Sequence, residues 1–182
     1  MHPKLLKEII EAADSQGQML HTILNADPAL QKYKQDPHSW NLLEVGEHCK
    51  NIETSILINL IKYQDFPSRN SGMRDHYNAF LLKVAMKAGF RFKVPPIKNL
   101  LPVGNLTVEE VADSWRKIRN ELLAYLEVFP EHKINHTVFK HPRAGYLTIV
   151  QTIDFINDHT LHHQNQLKRI TSNYKSYIKS KI

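Results

Sequence analysis

The chain has one cysteine, Cys49, so it can form no internal disulfide, and neither its fold nor its compartment can be argued from one. No apolar run approaches the roughly 20 residues of a membrane span. The opening MHPKLLKEII reads as an amphipathic helix start and lacks the apolar core of a signal peptide. Glycine is sparse at six residues, which excludes collagen-like and glycine-rich low-complexity chains. These absences lead us to expect a cytoplasmic protein with no membrane partner. With 182 residues, 42% hydrophobic and 23% charged, the chain is long enough for one domain with a sizeable core, which we take to span 1–182. The net charge of +6 admits nucleic acid or an acidic partner. The basic residues are scattered, however, apart from a C-terminal tail at about 171–182 that reads as a solvated helix end, which argues against nucleic-acid binding.

Helical periodicity dominates the chain. Leu5, Leu6, Ile9, Ile10, Ala13, Leu20, Ile23 and Leu24 mark a first helix over 3–26, bounded by Pro3 and Pro28. The following PALQKYKQDPHS is polar and proline-bounded and reads as a connection. A second helix starts near Ser39 as N-cap and runs through WNLLEVGEHCKNIETSILINLIKYQ, with Val45, Ile52, Ile56 and Tyr63 on its apolar face. After the loop DFPSRNSG comes a third, shorter helix, RDHYNAFLLKVAMKAG, closed by Gly89. The proline-rich RFKVPPIKNLLPVGNL then suggests a long crossover connection. Thr107 and Glu110 form a capping box for a helix that Pro130 stops, and EHKINHTVFKHPRAGY reads as a loop. The expected fold class is all-α, a four-helix bundle with a long crossover.

The last helix, LTIVQTIDFINDHTLHHQNQLKRI over 147–170, carries the chemistry. With His159 as zero, Ile149, Ile156, His163, Leu167 and Ile170 fall between roughly 20° and 80° round the helix, so both histidines lie in the apolar stripe. An imidazole there needs a buried partner, and histidines four residues apart on one face can chelate a metal. On the second helix, His48 sits at the edge of the apolar face, and Glu44 lies one turn before it. His162 falls at the margin of its stripe and reads as a rim residue. His2, His21, His38, His76, His132, His136 and His141 have no partner at helical spacing and are assigned no role. Cys49 points about 100° away from His48 and reads as a small buried apolar residue. Trp40, Trp115 and Tyr125 are candidates for a pocket wall, although aromatics at helical spacing more often fill a core.

The segments WNLLEVGEHC and HTLHHQNQLKRI, the latter preceded by HPRAGYLTI, resemble the hallmark regions of the DinB-like superfamily of four-helix-bundle metalloproteins. In that family a tryptophan-to-histidine motif and an H-x-x-x-H motif followed by glutamine hold a divalent metal. The resemblance implies His48, His159 and His163 as metal ligands, Gln166 as the trailing glutamine, and the His141, Pro142 and Gly145 turn before the last helix. Three neutral imidazoles suit zinc or nickel, and also iron or copper, and leave positions open for water or substrate. The expected function is that of a metal-dependent enzyme, a hydrolase or thiol-dependent S-transferase acting on a small electrophile, with a low-molecular-weight thiol as a candidate partner. Glu44 and Glu47 are candidates for a general base or a neighbour of the metal. The alternative is a non-catalytic bundle held together by a structural metal or by a buried histidine cluster. A homodimer is compatible with this reading, but no residue marks its interface.

Overall fold

The computed structural model describes residues 1–62, 64, 68–90 and 98–181. Among these residues six α-helices and one small hairpin follow one another as α1 Pro3–Leu24, α2 Pro28–Lys32, α3 Leu42–Lys62, α4 Met73–Lys87, α5 Val108–Glu127, β1 Thr137–His141, β2 Gly145–Thr148 and α6 Ile149–Lys179. The class is all-α, as the periodicity implies. No helix among the described residues is long and apolar enough to cross a membrane. Tyr63 and the greater part of the proline-rich crossover, 91–97, lie outside the described residues, as do residues 65–67 of the loop before α4.

The helix boundaries follow from local chemistry. At α5 the Thr107 hydroxyl accepts from the Glu110 N–H and the Glu110 carboxylate accepts from the Thr107 N–H, the expected capping box. Gly89 follows α4 at φ +72, a left-handed conformation that suits a residue without Cβ.

Four expectations need correction. The segment after Pro28 is not all connection: Asp27 accepts from the Ala29 N–H and Pro28 occupies the first turn, which together start the short helix α2. Ser39 does not cap α3, because its hydroxyl is turned back onto the Asp36 carbonyl. Asn41 and Glu44 instead exchange side-chain-to-backbone hydrogen bonds at the helix start. The presumed loop before α6 contains the antiparallel pair β1 and β2, with a register shift between Thr137 and Phe139. Lastly, α6 runs from Ile149 to Lys179, beyond the bounds 147–170, so the tail read as a solvated helix end is its continuation, with Tyr174 and Tyr177 packed against Tyr33.

The core is divided along the helices. One cluster gathers Leu5, Ile9, Ile56, Leu122, Ile153 and Ile156; the other gathers Met19, Ile23, Val45, Cys49, Trp115 and Leu167. Buried polar residues interrupt the stripe between them on each main helix: Gln16 on α1, Glu53 on α3, Arg119 on α5 and Asn157 on α6. Gln16 donates to the Trp115 carbonyl, and Arg119 donates to Glu53 through Nε at 3.0 Å and through Nη2. Each connection joins two helices at a depth where an unpaired polar group would cost several kcal/mol, of order 1–3 for a neutral group and more for a charge.

Candidate metal centre

The register of α6 is set at its first turn. The Thr148 hydroxyl accepts from the Gln151 N–H and the Gln151 side-chain oxygen accepts from the Thr148 N–H. From that start the 3.6-residue repeat carries Ile149, Ile153, Ile156, His159, His163 and Leu167 to the interior, where all are buried. The bonds between Asn41 and Glu44 fix the start of α3 in the same way, and one turn later His48 enters the interior.

The three histidines named from spacing and resemblance come together. Ring centroids lie 5.2 Å apart for His48 and His159, 5.0 Å for His48 and His163, and 4.6 Å for His159 and His163. Each residue offers one donor nitrogen, and these nitrogens lie within 4.8 Å of one another. Two of the rings have their hydrogens assigned by their surroundings. His48 Nδ1 is 2.7 Å from the Leu100 carbonyl, which can only accept, and His163 Nδ1 is 2.8 Å from the Gln166 side-chain oxygen. Both Nδ1 atoms therefore donate, and both Nε2 atoms keep a lone pair. Histidines that bind metals are commonly oriented in this way by a second acceptor.

Electrostatics favour the same state. Burial lowers the pKa of His48, and burial together with the neighbouring imidazoles lowers that of His159 well below its ordinary value. Burial first, then the nearby His48, brings His163 down to about 3. Near neutral pH all three rings are uncharged, the form that can coordinate a cation. The donor set thus fits a metal: three buried histidines close together could bind a divalent ion.

A cleft of about 290 Å³ opens onto the trio. Its apolar wall includes Ile52, Ile56, Leu82, Met86, Phe139 and Phe155, and its polar groups include Ser55 and Asn59. His162 lines the cleft at the margin expected of a rim residue. The structure adds His141, to which spacing assigned no role. It belongs to the hairpin, not to a helix, so no helical offset could have connected it with the other three. Trp40 packs on the site, its ring centroid 4.8 Å from that of His48, whereas Trp115 is fully buried in the core.

The candidate bases are committed elsewhere. Glu44 accepts from the Asn41 N–H and pairs with Lys34, and Glu47 accepts from the Val103 N–H at 3.0 Å and the Gly104 N–H at 2.9 Å. Gly104 has φ +77, and a Cβ there would come within 2.8 Å of a Glu44 carboxylate oxygen, so glycine is required where the chain passes α3. Cys49 is buried and free, and burial pushes its thiol well above the ordinary value, so it supplies no thiolate ligand.

No curated protein and no solved structure matches the chain. A family model does: the one described as DinB superfamily matches residues 11–167, from the first helix to beyond the histidine pair on α6. With its histidine-bearing helical fold and a match over most of its length, the chain belongs to the DinB superfamily.

Proposed function

We propose that the protein is a metal-dependent enzyme that acts on a small electrophile, with His48, His159 and His163 holding a divalent ion and Nε2 of His48 and of His163 serving as ligand atoms. The observation that carries this reading is the pairing of three converging neutral imidazoles with a cleft that reaches them. A purely structural metal needs no such access and more often has four protein ligands. When bound, the ion acts as a Lewis acid that lowers the pKa of a water or thiol.

The remaining work is done by the chain. The Leu100 carbonyl and Gln166 keep two imidazoles aimed inward, Trp40 covers His48, and Phe155, Leu82 and Met86 keep bulk water from one side of the cleft. Among the described residues no carboxylate lines the cleft to act as a general base. That favours a nucleophile that ionises with little help: a free thiol, with a pKa near 8.5, starts far closer to neutrality than water at about 15.7. Thiol-dependent transfer is therefore the favoured reaction, ahead of hydrolysis.

The test is elemental analysis of untagged protein beside His159→Ala at matched concentration, followed by assay of thiol consumption with an aryl halide electrophile. Near-stoichiometric metal, lost in the variant, and metal-dependent thiol consumption are expected. Stoichiometric metal retained in the variant rejects the ligand set. Metal without turnover of thiol or of hydrolysable esters returns the reading to a structural site.

A further inference from the structure

The hairpin lines the cleft with Phe139, Lys140, His141, Pro142 and Arg143, and the proposed chemistry leaves the His141 imidazole unused. The chain leaves β1 at His141 and turns through Pro142, Arg143 and Ala144, and the His141 side chain folds over that turn. Its Nδ1 accepts from the Arg143 N–H at 3.2 Å and the Ala144 N–H at 3.1 Å. A nitrogen that accepts two amide hydrogens carries none itself, so the hydrogen of the neutral ring is on Nε2. His141 is only 8% exposed, and burial, then the nearby Arg143 charge, lowers its pKa to about 4.

None of the hydrogen bonds among the described residues uses Nε2. The ring meets Phe155 edge-on at 4.6 Å, and Phe155 in turn lies 5.6 Å from His159, so His141 belongs to the same wall as the trio. The cleft is thus given an N–H donor in a fixed tautomer, on a residue nine-tenths buried and without an acceptor among the described residues. Its surroundings are asymmetric in charge. Among the described lining residues there is no aspartate or glutamate, whereas Lys140 and Arg143 flank His141 on the hairpin.

We propose that His141 Nε2–H binds a carboxylate oxygen of the molecule that occupies the cleft, which makes that molecule a small organic anion with an apolar body. The carboxylate supplies the missing acceptor, the basic hairpin balances its charge, and Ile52, Ile56, Leu82 and Phe155 receive its hydrocarbon part. A cation in the same place would meet an N–H and the positive charges of Lys140 and Arg143, a repulsive arrangement that selects against it. The inference takes the cleft to be the substrate site proposed above, but it does not need the metal.

Metal-free protein therefore provides the test, with butyrate and butylammonium as matched probes in an NMR titration. Nitrogen-15 spectra of the histidine side chains should show His141 protonated at Nε2 and bare at Nδ1, and butyrate should bind saturably while butylammonium does not. Two variants separate the roles of the ring. In His141→Asn the side-chain oxygen can still accept the two turn amides but cannot reach the cleft, so the fold should hold while butyrate affinity falls about tenfold or more, the scale of a hydrogen bond to a charged group. His141→Gln reaches the Nε2 position with an N–H but loses the turn, so it should melt lower yet bind butyrate within about threefold of the parent. Unchanged butyrate binding in His141→Asn, a hydrogen on Nδ1, or equal binding of both probes would overturn the proposal. Zinc stoichiometry measured on the same samples keeps the two readings apart: butyrate bound by a protein that takes up no zinc rejects only the metal site, and the converse rejects only the carboxylate.

Discussion

At the scale of single residues, the three imidazoles differ in how firmly they are held. His48 and His163 each donate from Nδ1 to an oxygen, while none of the hydrogen bonds among the described residues uses the His159 ring. Removing His159 should abolish metal uptake. Gln166→Ala leaves all three imidazoles in place and removes only the acceptor on His163, so it should weaken zinc affinity by about 10–100-fold, measurable by competition with a chromogenic chelator. The pH response follows from the same burial. His163 has its native value near 3 and His159 well below its ordinary value, whereas an unfolded histidine titrates near 6.5. Between those values the unfolded chain binds more protons than the native one, so the stabilisation is present above about pH 6.5 and is lost as pH falls. Metal-free protein should show a melting temperature that drops steadily from pH 7 to pH 4; a flat profile would contradict the neutral, buried assignment.

At the scale of elements, the Arg119 and Glu53 pair joins α5 to α3 at a level where both side chains are almost fully buried. Breaking one side leaves a charge without its partner, so Arg119→Met should destabilise by about 3–5 kcal/mol in urea unfolding, while the double variant with Glu53→Leu should recover much of that loss. The main helices were legible because each carries a long apolar stripe and, at α5, a capping box written as Thr107 and Glu110. The short elements were not. The start signal of α2, Asp27 followed by Pro28, sits ahead of only five residues with no buried face to give a period. In the hairpin, β1 has no clear alternation and its burial is uneven along Thr137–His141, so period-2 reading had little to find. The resemblance marked His141 as part of a turn, but without the hairpin nothing brought its side chain to the trio. The trio was legible because two of its members share one helix face. The commitments of Glu44 and Glu47 were not, since the amides that bind Glu47 come from Val103 and Gly104, more than 50 residues away.

At the scale of the whole molecule, metal binding and folding are linked if His48 on α3 and the pair on α6 share one ion. An ion that binds only the native state adds RT ln(1 + [L]/Kd), about 2.7 kcal/mol at a hundredfold excess over Kd. For a chain of this length each kcal/mol moves the midpoint by roughly 2–4 °C. Zinc at that excess should therefore raise the melting temperature by about 5–11 °C, and a chelator should reverse it; calorimetry that shows no shift would reject a shared site. One feature links this to the long connection before α5. Glu47 and His48 are neighbours on α3, and both hold that connection, the first through the Val103 and Gly104 amides and the second through the Leu100 carbonyl. Lifting the segment would free the His48 ring to rotate, and a ring fixed by an ion would in turn hold the segment down. The amide protons of Val103 and Gly104 thus become clocks for the site: their exchange with deuterium should slow on zinc addition, although neither residue lies in the cleft.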